Sequence, residues 1–336
     1  MAHLDDVAGR LARVSQWVRP RPRNTLDRLD VYEGASLEAL FPTPDVPPEI
    51  QRSRRWQLPG LVSEDLRFAS QHEPLEPNFQ RHYHERRRRI HTVTARRIRP
   101  ASARDRPRLL YIHGYMQPET PIEELGLLTT MAWMLDMEVV QLQPPYHGQR
   151  KPRSSVFDGE LYWTADLVRS IEARRQTLLD ARTLLAWMQA EAPTPVGVAG
   201  LSLGGALTAA LTCLEPRFSF SAPIIAHMDM AELLADAPVL GTMRDDLQRF
   251  GWTPGDFGGF LERVGWNGLH PVIPGERIQL FAADDDRFFR PELVTEMWER
   301  WGKPQIHWYP GSHMGFMASL PDTIRRLRVF VDERVA

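Results

Sequence analysis

The tightest constraint in the chain is Gly200-Leu201-Ser202-Leu203-Gly204-Gly205. An apolar run, Pro195–Ala199, precedes it, and a stretch rich in Ala and Leu, Leu203–Leu214, follows. A strand that turns into a helix within one residue leaves little room beside the turn. Glycine removes the Cβ where strand and helix come closest. A serine at the apex presents its hydroxyl at a helix N-terminus, where unpaired N–H groups and the helix dipole favour developing negative charge. The pattern G-x-S-x-G recurs by chance; a strand before it and a helix after it make it specific.

The surrounding chain fits such a turn. Leu61–Ala69 and Ile90–Ile98 alternate as strands do. Strand runs then recur at Arg108–His113, Met137–Gln143, Val196–Ala199, Phe220–Ala226, Ile278–Ala283 and Gln305–Tyr309. Helical stretches separate them at Pro121–Met134, Leu161–Ala190 and Leu203–Leu214, and Thr323–Val335 closes the chain. Strands alternating with helices imply an α/β fold, a mostly parallel sheet with helices on both faces. About fifty residues, 227–276, interrupt the rhythm with apolar helical stretches and no strand. They follow a strand end, where α/β sheets bind ligands, and are expected to form a helical lid insertion.

A nucleophilic serine on such a turn needs an acid and a histidine downstream, in that order. Asp284-Asp285-Asp286 follows the strand at 278–283, and His313 lies in a small-residue loop after the last strand. Asp286 is 84 residues beyond Ser202, and His313 a further 27. Alignment on the strand end makes Asp286 the expected acid and Asp285 the second choice. The His113-Gly114-Tyr115-Met116 loop, after the strand at 108–113, lies where an oxyanion loop belongs. The backbone N–H groups of Leu203 and Tyr115 are the expected donors. His113 is expected to brace that loop. His113, Gly114, Tyr146 and His147 are the expected pocket residues, with His147 near the rim.

The remaining segments read as accessory. Residues 1–60 form a leader or strap, with the catalytic domain at 61–336. Leu4, Val7, Leu11, Val14 and Val18 recur at helical spacing, giving a short amphipathic helix that ends at Pro20, and a proline-studded connector follows. Four consecutive arginines at 86–89 lie in a basic stretch, 81–108, without the spacing of a zinc finger or the pattern of a stacking-aromatic motif. A charged, solvated strand edge explains them better than nucleic-acid binding.

Composition narrows the classes further. Acidic and basic residues nearly balance, 43 against 41, so no overall field attracts nucleic acid or an anionic membrane. A single cysteine, Cys213, excludes an intramolecular disulfide and multi-cysteine metal or iron–sulfur sites. His82 and His84 have no third ligand in view, so neither metal nor cofactor is expected. No stretch approaches the apolar length of a membrane span, and the N-terminus lacks the apolar region of a secretory signal. A cytoplasmic protein is the expectation.

From about residue 60 to 330 the sequence resembles the α/β-hydrolase superfamily. Within it, Pro145-Tyr146-His147-Gly148-Gln149-Arg150-Lys151-Pro152 and the Ser202 motif are similar to the group of α/β-hydrolase domain-containing protein 18. That group's pattern runs approximately P-[FY]-[YH]-G-x-R-K-P, G-[IL]-S-[ML]-G-G, R-D-D-x-[YF]-V-P and G-[GS]-H. Here Phe289 stands where the third element has valine, and its proline comes one residue late, at Pro291. The resemblance implies the fold and the Ser–acid–His set. The function expected is hydrolysis of a carboxylic ester or thioester with an apolar acyl or aromatic group, so the partner is a small-molecule ester. An acyltransferase or peptidase using the same residues, and a non-catalytic scaffold, remain open. The oligomeric state is not legible.

Overall fold

A computed structural model describes residues 2–17, 21–44, 49–85, 89–103, 105–121 and 123–334. Val18, Pro20, three of the four arginines at 86–89 and Val335 therefore lie outside the described residues, as does part of the proline-studded connector.

Among the described residues the sheet has nine strands in the order β1-β2-β3-β5-β4-β6-β7-β8-β9. They are β1 (Gln51–Leu58), β2 (Leu61–Ala69), β3 (Thr92–Pro100), β4 (Arg108–Ile112), β5 (Val139–Leu142), β6 (Val196–Leu201), β7 (Ser221–Ile224), β8 (Gln279–Ala283) and β9 (Gln305–Tyr309). The first three and β5 pair antiparallel; from β5 to β9 every pairing is parallel. The helices are α1 (Ala2–Trp17), the single turns α2 (Asp30–Glu33) and α3 (Leu37–Leu40), α4 (Pro77–Glu85), α5 (Thr129–Leu135), α6 (Leu167–Glu191), α7 (Leu203–Leu214), α8 (Met230–Asp236), α9 (Gly241–Arg249), α10 (Pro254–Arg263), α11 (Pro291–Arg300) and α12 (Leu320–Arg334).

Period-two alternation divides the core. On β4, Leu110 and Ile112 join the large cluster with α6, α7 and the 227–276 segment. Leu109 and Tyr111 point the other way, against Leu135 of α5 and Leu327 and Phe330 of α12. Burial on both faces is why the inner strands read as continuous apolar runs. Residues 227–276 fold as α8, α9 and α10 with short 3-10 turns and no strand among the described residues.

Three expectations change. β1 falls inside the segment read as a leader of 1–60. Its sequence, Gln-Arg-Ser-Arg-Arg-Trp-Gln-Leu, is exposed along the sheet edge, so it shows no apolar alternation. The long helix begins at Leu167 rather than Leu161, because Asp166 caps it by accepting from Arg169 N at 3.3 Å. The arginines of 90–99 are not a solvated edge. β3 lies between β2 and β5, and Arg96 is buried against Asp65 at 2.8 Å, Glu119 at 2.5 Å and Glu124 at 2.5 Å. Arg97 pairs with Glu138 and Glu191 at 2.7 and 3.0 Å. The sheet carries these charges inside because each guanidinium finds several carboxylates.

Arg150 explains part of the Pro145–Pro152 motif. It is fully buried, donates to Gln143 O and Ile90 O at 2.9 and 2.7 Å, and pairs with fully buried Asp180 of α6 at 2.9 Å. This ties the end of β5 to the long helix. Burial raises the Asp180 carboxyl above its ordinary range even with Arg150 beside it. Arg150→Met removes the cation and leaves that carboxylate without a countercharge, held by Ser70 Oγ at 2.6 Å. The substitution is expected to cost about 3–5 kcal/mol in urea unfolding at pH 7. A group with its folded pKa raised destabilises above that pKa and is relieved as pH falls through it, so the deficit shrinks as pH is lowered. An unchanged unfolding midpoint at pH 7 would contradict this account.

Candidate active site

Ser202 sits between β6 and α7 with φ 58° and ψ −115°, a conformation that L-residues rarely adopt. Its N–H donates to Ile224 O of β7 at 3.0 Å, which holds the turn on the sheet. The flanking glycines are required by distance. A Cβ on Gly200 would fall 2.3 Å from Gly204 O, one on Gly204 1.9 Å from Ile112 O, and one on Gly205 2.4 Å from Ile224 O. Leu203 opens α7, so its N–H belongs to the unpaired first turn beside the serine.

The expected acid and histidine converge on the serine. His313 Nε2 lies 2.9 Å from Ser202 Oγ, and His313 Nδ1 lies 2.8 Å from Asp286 Oδ2. With Nδ1–H donating to the carboxylate, Nε2 is free to accept the serine O–H. Asp286 is buried; its Oδ1 accepts from Phe288 N and Phe289 N at 2.7 and 2.8 Å. The rings of Phe288 and Phe289 flank the imidazole at 4.7 and 5.6 Å between centroids. Asp285 is exposed, and it is its backbone N–H that bonds, to Gly311 O at 3.0 Å. Of the two carboxylates left open by the sequence, it is Asp286 that bonds His313, while Asp285 faces solvent.

The loop after β4 lies alongside. A Cβ on Gly114 would stand 3.7 Å from that of Ser202, so the loop backbone abuts the serine. Gly114 N donates to Gln117 Oε1 at 3.2 Å, and Met116 takes φ 60°. His113 is buried with Nδ1 2.8 Å from Gly114 O. The Tyr115 ring packs on Trp163, 5.4 Å between centroids, and on His147 at 6.2 Å.

A cavity of about 490 Å³ opens at Ser202 and His313, lined by Tyr115, Met116, Gln117, Trp163, Phe288 and Phe289, among others. Neither His113, Gly114, Tyr146 nor His147 lines it. His147 is completely buried rather than at the rim. Its ring lies 5.1 Å from that of His113, and Nε2 has no hydrogen-bond partner among the described residues. Burial, reinforced by the neighbouring His113, holds it well below the ordinary histidine range. The reason is the tight Pro144–Tyr146 turn, with Tyr146 at φ 67°, which carries the side chain back under the β4 loop.

Helix α1 supplies the unexpected wall. Ala8, Leu11 and Ala12 face the same cavity. Asp5 is 0% exposed and accepts from the backbone N–H of His313 at 3.0 Å, Met314 at 2.8 Å and Arg287 at 3.1 Å. The helix therefore docks through Asp5, Gly9 and Ala12, while Leu4, Val7, Leu11 and Val14, the apolar residues at helical spacing, are each more than half exposed. A Cβ on Gly9 would fall 2.3 Å from Pro238 Cβ, so only glycine permits this approach. The small residues at 8, 9 and 12 were the legible signal. A buried aspartate serving loop N–H groups leaves none.

Cys213 is buried, and burial pushes its thiol up to about 12, so it is no nucleophile. Among the described residues no group of three or more His, Cys, Asp or Glu side chains could hold a metal ion. Nor is any described helix long and apolar enough to cross a membrane.

Comparison with known proteins agrees with this architecture. Residues 126–236 match the family model described as alpha/beta hydrolase domain containing 18. Uncharacterized proteins from two strains of Mycobacterium tuberculosis are each 32% identical over 226 residues, covering 64% of this chain and 52% of theirs. The chain thus spans about half the length of these relatives. Among solved structures, acetyl xylan esterase 1 from Thermoanaerobacterium sp. JW/SL YS485 superposes with a TM-score of 0.56 at 18% identity, covering 92% of this chain and 95% of that one. A cold-adapted esterase from an Arctic intertidal metagenomic library gives a TM-score of 0.50 at 16% identity, covering 86% and 100%. At such identities the likeness establishes the fold. With its elbow at Ser202 and its mostly parallel sheet, the chain is an α/β-hydrolase-fold protein that resembles the group of alpha/beta hydrolase domain containing 18.

Proposed function

We propose that the protein is a serine hydrolase that cleaves a carboxylic ester, or thioester, carrying an apolar acyl or aromatic group. What carries this reading is the unbroken hydrogen-bonded chain Ser202–His313–Asp286, at 2.9 and 2.8 Å, with its serine on a strained turn at a helix N-terminus. Ser202 Oγ attacks the carbonyl carbon as His313 Nε2 takes its proton. Asp286 fixes the Nδ1–H tautomer and stabilises the imidazolium. The N–H groups of Leu203 and Tyr115 are the donors for the tetrahedral oxyanion. The C–O bond to the alcohol then breaks, and the alcohol leaves with the proton held on Nε2. His313 next activates water, which displaces Ser202 from the acyl group and releases the acid.

The cavity favours an apolar group. Trp163, Leu233, Val239, Phe288 and Phe289 dominate its wall, and Gln117 is one of its few polar members. The helices of 227–276 and α1 close over it, so the 227–276 insertion is read as a lid and α1 as a strap completing the roof. Asp5 then acts through the loops, holding the His313 backbone and the Arg287 backbone at fixed separation.

Three outcomes are expected. Ser202→Ala abolishes labelling by an active-site fluorophosphonate and lowers ester turnover by about 10⁶-fold; failure of the wild-type protein to label, or persistent labelling of the variant, refutes the reading. Asp286→Asn keeps the geometry but inverts the tautomer preference, lowering kcat by about 10⁴-fold with near-unchanged KM, measured with p-nitrophenyl esters. Asp5→Ala leaves the nucleophile in place but frees the histidine loop, so kcat falls by up to about 10²-fold at similar KM. An Asp5→Ala kcat equal to that of wild type would show that α1 is only a cover.

A further inference from the structure

The arginines of α6 share a pattern with one exception. Arg169 pairs with Asp166, Arg175 with Glu172 and Arg182 with Glu215. Arg174 has neither a carboxylate nor a hydrogen-bond acceptor among the described residues. Its one close contact of note is the Trp266 ring, whose centroid is 4.5 Å from the guanidinium carbon. A cation–π contact is worth about 0.5–2 kcal/mol, and it does not replace the anion that this half-buried charge lacks. Partial burial pulls the Arg174 guanidinium down to about 10, the direction for a cation partly desolvated without an anion to offset it.

This side chain borders a second cavity, of about 70 Å³, whose walls include Trp163, Met230, Leu234, Phe257, Phe260 and Trp266. The remaining wall is mostly apolar; of its polar members, Arg175 is neutralised by Glu172 at 2.5 Å, and Ser170 and Tyr32 carry no charge, which leaves Arg174 as the cation without a carboxylate. It adjoins the space at Ser202: Trp163 faces both cavities, while Leu233 and Leu234, neighbours on α8, line one each. A planar guanidinium set in an apolar wall is complementary to a carboxylate, which it can grip with two parallel N–H bonds while the hydrocarbon contacts the rings.

We propose that this second cavity binds a short apolar carboxylate, its anionic head on Arg174 and its carbon chain among the aromatic walls. A cavity of about 150 Å³ holds benzene, so 70 Å³ suits a few carbons rather than a lipid tail. The acid is either the far end of the ester attacked by Ser202, which rests on the hydrolase reading above, or a separate acid. Binding itself requires no turnover.

Calorimetry on the protein tests binding with propanoate and with uncharged propanamide, which match a space of a few carbons. Propanoate is expected to bind, with propanamide at least about tenfold weaker, the difference a charged hydrogen bond makes. Arg174→Met, which keeps apolar volume, removes the preference, and Arg174→Lys retains part of it. Absence of propanoate binding, equal affinity for the amide, or full propanoate affinity in a folded Arg174→Met variant overturns the proposal. If Arg174→Met does not fold, the amide comparison and Arg174→Lys decide. The two sources separate on esters: p-nitrophenyl hydrogen adipate against p-nitrophenyl hexanoate. A selective loss of kcat/KM for the adipate half-ester in Arg174→Met, about tenfold or more, places the acid on the substrate. Equal rates with lost propanoate binding assign the cavity to a free acid. Turnover of neither ester by wild type removes the hydrolase reading, while calorimetry still decides the cavity.

Discussion

Helix α7 lies closer to the sheet than any side chain allows, and the site depends on that contact. Backbone carbonyls of β4 and β7, at Ile112 and Ile224, occupy the positions where Cβ atoms of Gly204 and Gly205 would stand. Glycine inside a helix costs about 1 kcal/mol relative to alanine, so the helix gives up intrinsic stability for position. Further cost lies in the backbone. Met116, Tyr146, Ser202 and Ile225 all take positive φ, each just beyond the C-terminal end of one of the strands β4 to β7. Such residues cost about 1–3 kcal/mol each and persist only where the surroundings over-determine them. Here the surroundings are two buried apolar cores, one on each side of the sheet. The strained ends are gathered where the chemistry is proposed, while the packed faces hold them there.

Distance along the chain is bridged by carboxylates that accept backbone N–H groups. Asp284 takes Gly311 N at 2.8 Å, and Asp285 N returns a bond to Gly311 O at 3.0 Å, so the acid loop and the histidine loop are laced together. Asp5 adds bonds to both loops from the first helix of the chain. A buried carboxylate without partners would cost several kcal/mol. Three charge-assisted bonds offset that cost and make the docking of α1 directional, which an apolar stripe alone does not.

The sequence made the elbow legible because strand, glycine and helix signals coincide within a few residues. Asp286 and His313 were legible from their places at successive strand ends. The failures share a physical cause, since each involves a residue whose environment comes from distant chain. Leu4, Val7 and Val14 of α1 stay exposed because Asp5 finds N–H groups nearly three hundred residues away and sets which side of the helix docks. β1 hides its strand character because an edge strand need not alternate. Arg96 and Arg97 look like surface charge, yet carboxylates from β2, from the segment before α5 and from the end of α6 gather around them. Local periodicity reports on a face only when that face meets apolar surface; it is silent on which polar groups will be paired.

The Pro145–Pro152 segment shows how a motif can serve a site without touching its cavity. Arg150 anchors it to α6, and the turn at Tyr146 directs His147 beneath Tyr115. Gly159, at φ 81°, completes the underside: a Cβ there would meet His147 Nε2 at 2.4 Å and the Tyr115 ring at 2.9 Å. His147 is therefore clamped between a backbone that tolerates no side chain and the tyrosine of the proposed oxyanion loop. A histidine so confined stays uncharged and cannot move a proton to the cavity, which it does not line. What it can do is fill volume rigidly under a loop whose N–H group must hold its aim. The tolerance for such a donor is a few tenths of an ångström, and a buried aromatic floor fixed by an ion pair meets it better than a mobile side chain at the rim would.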